Sequence, residues 1–172
     1  MKATIARSDV RGAVRVPGSK SYTIRAAMCA GMACGDSFIE GPLESDDSSA
    51  AFECLGTLGA EVVTVDSGVR VRGGRLHAVE EPLWCRESGA TLRFLAAIAA
   101  TVPGKTTLRC APSLARRPIE PLLEAIRQLG VECDFQSASG TLDVVGRRQR
   151  SGHVLIRGDV SSQFLSALLM SG

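Results

Sequence analysis

The sequence predicts an α/β fold built from a repeated unit of helix, strand, helix, strand and strand. The repeat is visible where Leu58-Gly59-Ala60-Glu61-Val62 is followed, about 70 residues later, by Leu129-Gly130-Val131-Glu132-Cys133. Each segment closes a stretch of helical periodicity and leads into the alternating pattern typical of strands. A second series of serine-led, apolar segments at 19–32, 87–100 and 161–170 has nearly the same spacing.

Local patterns predict each element in turn. Leu122, Leu123 and Ile126 lie on one apolar helical face. Gly59 and Gly130 suit the left-handed residue expected just past a helix end. Helices are expected over 19–32, 48–58, 87–100, 119–129 and 161–170, and strands over 36–40, 61–65, 69–72, 106–110, 132–135 and 141–145.

The repeat divides the chain into two complete units, about 16–85 and 86–157, and a third unit over 158–172 that stops after its first helix. That last helix, 161–170, is rich in Leu and Met and has no following strands to cover it. An apolar helix needs a partner. We therefore expect a truncated chain, with a second chain that supplies the missing layer as the alternative.

Composition excludes several classes of protein. The 172 residues include 20 Lys and Arg against 18 Asp and Glu, and 45% are hydrophobic, which argues against a disordered, collagen-like or coiled-coil chain. A net charge of +2 gives no basic field for nucleic acid. The longest nearly apolar run, 94–102, is far shorter than the about 20 residues that span a bilayer. The first residues lack an apolar secretory segment, so a cytoplasmic location is expected.

The cysteines and histidines form no recognisable metal motif. Only two histidines are present, and no two cysteines have the C-x-x-C spacing. We predict no metal site and interpret the cysteines as reduced core residues, at positions 29, 34, 54, 85, 110 and 133.

The first predicted helix starts with side chains suited to anions. A helix N-terminus offers unpaired N–H groups and a partial positive charge. Lys20 and Ser21 follow Gly18, which permits close approach of the backbone, and Arg25 lies one turn after Ser21. An ammonium, a hydroxyl and a planar guanidinium together suit phosphate or carboxylate. A plain turn with a solvated lysine fits these residues equally well.

Further helix starts repeat this chemistry. Gly89 would let a ligand approach the backbone, with a simple turn at the helix start as the alternative. Arg117 precedes a helix start, where a cation is unfavourable unless an anion lies there. Ser161, Ser162 and Gln163 offer three neutral hydrogen-bonding side chains in succession, with simple capping as the competing interpretation.

Other charged residues are assigned structural roles. Asp46 and Asp47 are expected to cap the helix that begins at 48, and Arg93, in the middle of a helix, is expected to form an ion pair. His77 and His153 lie in polar settings and receive no role.

Taken together, these segments resemble the 5-enolpyruvylshikimate-3-phosphate (EPSP) synthase family of carboxyvinyltransferases. The resemblance rests on Val16-Pro-Gly-Ser-Lys-Ser21, Glu87-Ser-Gly-Ala-Thr-Leu-Arg93, Arg117-Pro-Ile119 and Val160-Ser-Ser-Gln-Phe164, in the family's order. It implies the enolpyruvyl transferase fold, an inside-out α/β barrel of βαβαββ units in two lobes, of which this chain matches most of the N-terminal lobe. An opening strand over 2–7 would belong to the other lobe.

The resemblance also implies which residues contact each substrate. Shikimate 3-phosphate would be bound by Lys20, Ser21, Arg25, Ser161, Ser162 and Gln163, and phosphoenolpyruvate by Lys20, Gly89, Arg117 and Gln163. Glu87 and Ala90 depart from the Asn and Thr that are frequent in the family. Both departures are expected to alter the affinity for phosphoenolpyruvate or the sensitivity to its analogue glyphosate, because the extra carboxylate of Glu87 repels an anionic ligand unless it is protonated or paired.

The implied reaction belongs to the shikimate pathway of aromatic amino acid biosynthesis. The enolpyruvyl group of phosphoenolpyruvate moves to the 5-hydroxyl of shikimate 3-phosphate, and inorganic phosphate leaves. The step needs an acid, a base and cations, but no cofactor. The family's acid and base would lie in the missing C-terminal lobe, so the chain alone is expected to be inactive. A UDP-N-acetylglucosamine enolpyruvyl transferase and a non-catalytic phospho-ligand-binding module are the alternatives.

Overall fold

The computed structural model describes residues 2–4, 6–9, 11–147 and 152–172. The first part of the chain forms α1 (Lys20–Met32), β1 (Gly35–Glu40), α2 (Asp46–Thr57), β2 (Glu61–Val65) and β3 (Gly68–Gly73). The second part forms β4 (Leu83–Trp84), α3 (Gly89–Thr101), β5 (Gly104–Arg109), α4 (Pro112–Ala115), α5 (Glu120–Gln128), β6 (Glu132–Gln136), β7 (Thr141–Gly146) and α6 (Ser162–Ser171). The predicted α/β class and the alternation of helices with strands are confirmed.

The two sheets share one topology. The first sheet has the antiparallel order β1-β3-β2, and the second contains the corresponding antiparallel order β5-β7-β6. In each, the last strand of the repeat lies in the middle, with Val71 between Ser37 and Val62 and Leu142 between Leu108 and Phe135. Strand β4 extends the second sheet by pairing in parallel with β5. Neither β4 nor α4 was predicted, because segments of two and four residues leave no periodicity to detect.

The central strand of each sheet ends against the first helix of its own repeat. A Cβ atom on Gly146 would lie 2.0 Å from the carbonyl oxygen of Ala99, and one on Gly73 would lie 2.2 Å from that of Ala30. No side chain fits at such distances, so glycine is required at both positions. This close approach sets each helix firmly on its sheet.

The core is centred on α3. Its Ala-rich sequence is buried over ten of thirteen residues, and the helix packs against α6, β7, β5, α1 and α2. Small alanine side chains let these neighbours approach closely, while Phe94, Leu95 and Ile98 fill the space between them. The starts of α1, α3 and α6 are thereby brought to one side of the molecule.

Some predictions about the periphery are wrong. The described residues of the predicted opening strand, 2–4, 6 and 7, form no strand, because a strand needs a neighbour with which to exchange hydrogen bonds. Residue 5 of that strand and residues 148–151 of the second unit lie outside the described residues. The unit boundaries at 16–85, 86–157 and 158–172 stay a prediction. The described helices reach at most 13 residues, and none is long and apolar enough to cross a membrane.

The interpretation of the cysteines as core residues holds only in part. Cys54, Cys85 and Cys110 are buried, whereas Cys29 and Cys34 are exposed. Contact with the Cys54 thiol and complete burial raise the pKa of Cys85 well above its usual range. Cys29 is exposed because it lies on the outward face of α1, although its neighbours in the sequence are apolar.

Candidate functional site

A cleft of about 260 Å³ opens where the starts of α1, α3 and α6 meet. Among its lining residues, five come from the predicted substrate-binding set: Lys20, Ser21, Gly89, Arg117 and Gln163. The other lining residues are Ile24, Asp47, Glu87, Ala90 and Arg93. The structure therefore gathers side chains from α1, α2, α3, α6 and the turn before α5 around one hollow.

A serine caps each of the three helices that reach the cleft. The hydroxyl oxygens of Ser19, Ser88 and Ser161 accept hydrogen bonds from backbone N–H groups in the first turns of α1, α3 and α6, at 3.5, 3.3 and 3.3 Å. The caps start the helices at corresponding places and leave other N–H groups of the first turn for a ligand. The partial positive charges of three helix dipoles are added to those of the lining cations.

The ammonium group of Lys20 is bound by a carboxylate within the cleft. Its Nζ lies 2.9 Å from Oδ2 of Asp47, with about half of the Lys20 side chain exposed. The sequence predicts that Asp46 and Asp47 cap α2, but this is wrong, because Ser45 occupies the cap position and exchanges capping hydrogen bonds with Ser48. An acidic residue in a first turn has an ordinary explanation in the helix dipole, so the sequence gives no sign of its pairing with Lys20.

Arg93 connects two of the elements that line the cleft. Its Nη1 donates to Oε1 of Gln163 at 2.6 Å, and its Nη2 donates to the carbonyl oxygen of Pro118 at 2.9 Å. The guanidinium lies 5.3 Å from the centre of the Phe164 ring, a favourable cation–π distance. Partial burial, followed by the neighbouring charge of Arg117, lowers the pKa of Arg93. The predicted ion pair is wrong, because Arg93 meets neutral acceptors and no carboxylate among the described residues.

The two glycines singled out in the sequence have different neighbours. A Cβ atom on Gly89 would lie 3.0 Å from Nη1 of Arg93, so glycine at this position leaves room for the guanidinium at the cleft wall. A Cβ atom on Gly18 would lie 2.6 Å from the carbonyl oxygen of Gly41 and 2.7 Å from the nitrogen of Leu43. Gly18 therefore permits close approach of the chain's own backbone, and not of a ligand as the sequence suggested.

Three predicted site residues lie beside the cleft and not on its wall. The guanidinium of Arg25 donates to the carbonyl oxygen of Ser21 at 3.1 Å and to the hydroxyl of Ser166 at 3.2 Å. It also lies 5.1 Å from the centre of the Phe94 ring. Ser161 caps α6, and the exposed Ser162 follows it at the start of that helix. The capping interpretation of Ser161 agrees with its observed contact.

The charges on the cleft wall favour a small anion. Lys20, Arg93 and Arg117 outnumber Asp47 and Glu87, and the Glu87 carboxylate is engaged by the hydroxyl of Ser113. A larger cavity of about 580 Å³, between residues 40–49 and 64–69, contains none of the predicted site residues. Its wall carries Glu40, Glu44 and Asp66 against Arg15. We therefore assign the candidate site to the smaller cleft.

The cleft offers electrostatic stabilisation of negative charge through its lining cations. Within the described ranges, no three His, Cys, Asp or Glu side chains lie close enough together to hold a metal ion. The cations and helix starts that line the cleft are suited to binding phosphate and carboxylate groups.

Comparison with known proteins agrees with this chemistry. The family model described as EPSP synthase (3-phosphoshikimate 1-carboxyvinyltransferase) matches residues 5–172. The 3-phosphoshikimate 1-carboxyvinyltransferase of Methanocorpusculum labreanum is 38% identical over 99% of this chain and 41% of the relative. The protein of the same name from Halobacterium salinarum is 39% identical over 100% of this chain and 41% of the relative.

A solved structure shows the same architecture. EPSP synthase from Acinetobacter baumannii superimposes with a TM-score of 0.82 at 25% sequence identity, covering 94% of this chain and 38% of that one. The chain thus spans about 40% of the length of the relatives it matches. With a family model that covers nearly all its residues, the chain belongs to the EPSP synthase family.

Proposed function

We propose that the cleft binds shikimate 3-phosphate and phosphoenolpyruvate as part of a 3-phosphoshikimate 1-carboxyvinyltransferase. One observation supports this most strongly. Lys20, Gly89, Arg117 and Gln163, which are far apart in the sequence, line a single hollow. These are the positions that the family resemblance connects with phosphoenolpyruvate, and the family membership is shown for the chain as a whole.

Lys20 would lie between the two substrates. In the free protein its ammonium group is held by Asp47, so an incoming phosphate or carboxylate must share or replace that partner. The exchange is feasible because the pair is partly exposed, and exposed ion pairs contribute little free energy. Arg117 would hold the other end of phosphoenolpyruvate with its planar fork.

Arg25, Ser21, Ser161, Ser162 and Gln163 would bind shikimate 3-phosphate. Arg25 contacts Ser166 and the Phe94 ring beside the cleft, and to bind the ligand it would have to exchange one of these contacts. Ser162 is exposed at the start of α6, where its hydroxyl and the helix N–H groups suit a phosphate group.

The reaction would join the shikimate 5-hydroxyl oxygen to C2 of phosphoenolpyruvate, with a proton added to the methylene carbon. The hydroxyl proton would pass to a base. The bond between C2 and the phosphate oxygen would then break to release inorganic phosphate, and loss of one proton from the new methyl group would form the enol ether of the product. The residues of the cleft would stabilise the negative charge on phosphate and carboxylate groups throughout. The acid and base would come from the C-terminal lobe, which would be the partner of this chain. A cytoplasmic location also stays a prediction.

Calorimetric titration of the chain with shikimate 3-phosphate tests the proposed binding. Lys20→Ala should weaken binding by about tenfold or more, and Ser161→Ala should weaken it less. Lys105→Ala is a matched control, since Lys105 also pairs with an aspartate, Asp143, at 3.0 Å but lies outside the cleft. No binding by the folded wild-type chain, or equal binding by the Lys20→Ala variant, would contradict the proposal.

A phosphate-release assay with both substrates tests whether the reaction needs catalytic groups from the C-terminal lobe. The 172-residue chain should show no turnover, because its cleft has cations but no assigned acid or base. Ordinary turnover by this chain would show that all catalytic groups are already present in it.

A further inference from the structure

The loop that leads into α3 holds an unusual backbone conformation at Arg86. With φ at 53°, Arg86 is the one residue other than glycine that has a positive φ in the described part of the chain. A residue with a Cβ atom is strained in this region and persists there only when its surroundings hold it. The contacts of Arg86 must therefore supply that restraint.

The Arg86 side chain is clamped by two carboxylates of α2. Its Nη2 donates to both carboxylate oxygens of Glu53 at 2.7 Å, and its Nη1 donates to the carboxylate of Asp46. Only a quarter of the Arg86 side chain is exposed. These hydrogen bonds, that to Asp46 first, raise the pKa of the guanidinium above its ordinary value. A planar guanidinium matches two carboxylates in a way that an ammonium group cannot.

The Arg86 backbone makes a second connection, to the start of α4. Its carbonyl oxygen accepts a hydrogen bond of 2.8 Å from the N–H group of Ala111, the residue that precedes α4. One residue thus joins the starts of α2, α3 and α4. Each of these elements leads to a residue of the cleft: Asp47 follows Asp46, Glu87 and Gly89 follow Arg86, and Arg117 follows α4.

We propose that Arg86 is a positioning residue, which acts through α2 and α4 to hold Asp47, Gly89 and Arg117 at the spacing that the anion requires. The inference rests on the proposed function of the cleft. Arg86 itself does not line the hollow. Without the planar guanidinium of Arg86, α2 and the Asp47–Lys20 pair would be free to shift relative to the start of α3.

The chain contains a matched control for a purely structural ion pair. Arg72, like Arg86, bridges two carboxylates, those of Asp36 at 3.0 Å and Glu61 at 3.6 Å. These three residues lie on the first sheet, and none lines the cleft or adjoins a lining residue in the sequence. Replacing either arginine by lysine keeps the charge and removes the fork.

Calorimetry with shikimate 3-phosphate, together with thermal unfolding, tests the proposal. Arg86→Lys and Arg86→Gly should each weaken binding by about tenfold, because small misplacements of binding groups are costly. Arg72→Lys should change it by less than about twofold. Arg86→Gly should unfold near the wild-type temperature. The strain relieved by glycine at a positive φ stabilises the fold and offsets the loss of the ion pairs. Equal affinities of the wild type and both Arg86 variants, or equal weakening in Arg86→Lys and Arg72→Lys, would overturn the proposal.

A measurement without ligand separates failure of this inference from failure of the proposed function. Amide hydrogen exchange at Ala111 and Leu92, whose N–H groups bond to Arg86 and Ser88, should be about tenfold faster in Arg86→Lys than in Arg72→Lys. If the wild type binds no substrate but exchange responds in this way, the proposed function fails, whereas the role of Arg86 in holding α2 and α4 in place is supported. Unchanged exchange would overturn the proposed positioning role of Arg86.

Discussion

Helices α1 and α3 occupy the same place in successive repeats, yet α3 buries ten of its thirteen residues and α1 only six. The difference follows from their neighbours, because α3 packs against four helices and two strands (α1, α2, α5, α6, β5 and β7), whereas α1 packs mainly against α2, α3, β1 and β3. Counted from the first residue of each helix, the exposed Cys29 corresponds to the buried Ile98. Position among the helices, more than helical propensity, decides how much of each is covered.

The packing of the helices also explains why the cleft forms at their starts. The apolar bodies of the helices are used for packing, and α3 has almost no polar side chain to spare after its first turns. The starts differ in chemistry: α1 begins with Lys20 and Ser21, α3 with Gly89 and Ala90, and α6 brings Gln163. Helices at corresponding places in the fold thus bring different functional groups to one cleft.

The largest expected effect is on the stability of the two helices. Ile98→Ala should lower the free energy of unfolding by about 3 kcal/mol, because it opens a cavity between packed elements. Cys29→Ala, at the corresponding position of α1, should change it by less than about 0.5 kcal/mol. Urea unfolding followed by circular dichroism measures both. Equal losses would contradict the explanation from neighbouring helices.

A smaller effect is expected at Arg93, which takes in α3 the place of Ile24 in α1. Arg93→Met keeps an apolar stem but removes the hydrogen bonds to Gln163 and Pro118. Affinity for shikimate 3-phosphate, measured by calorimetry, should fall about tenfold, because the Gln163 amide loses its restraint. Arg93→Lys should recover part of this loss. An unchanged affinity in Arg93→Met would show that Gln163 needs no such support.

Each sheet holds an aspartate whose pKa is lowered, Asp36 beside Arg72 in the first sheet and Asp143 in the second, so both sheets are expected to lose a little stability in acid. In the second sheet, the hydroxyl of Thr107 and then Lys105 hold the pKa of Asp143 below its ordinary value of 3.8. Since the folded-state pKa is lowered, the stabilisation is present above pH 3.8 and is lost as the pH falls through the folded-state pKa. Asp143→Asn should cost about 0.5 kcal/mol near neutral pH.

Urea unfolding of the wild type and Asp143→Asn at pH 7 and at pH 2.5 checks this prediction, and the difference between them should shrink in acid. A difference that persists or grows at pH 2.5 would assign the effect to packing and not to charge.

The smallest effect is expected at Glu87. This residue lies two positions before Gly89, the first residue of α3, and lines the cleft. Glu87→Gln should tighten binding of shikimate 3-phosphate by about twofold at low salt, because it removes a negative charge beside the anion. Calorimetry at low and high ionic strength measures it, and the gain should fade as salt screens the interaction. Weaker binding would mean that the carboxylate assists the ligand.

Much of the fold could be predicted from local signals, whereas the contacts of the site could not. Serine caps and glycine stops placed most helix ends within two residues, and the paired strands followed from alternation. The pairing of Lys20 with Asp47 and the bonds from Arg93 to Gln163 join residues distant in the sequence. Such contacts are set by packing of the helices, which no local pattern records.

We propose above all that the starts of α1, α3 and α6 form one anion-binding cleft. An amide NMR titration with shikimate 3-phosphate tests it directly. The signals of Ser21, Gly89, Arg117 and Gln163 should shift together and saturate with a single dissociation constant. Shifts confined to residues 40–44 and 64–69, around the larger cavity, with these four signals unmoved, would contradict it.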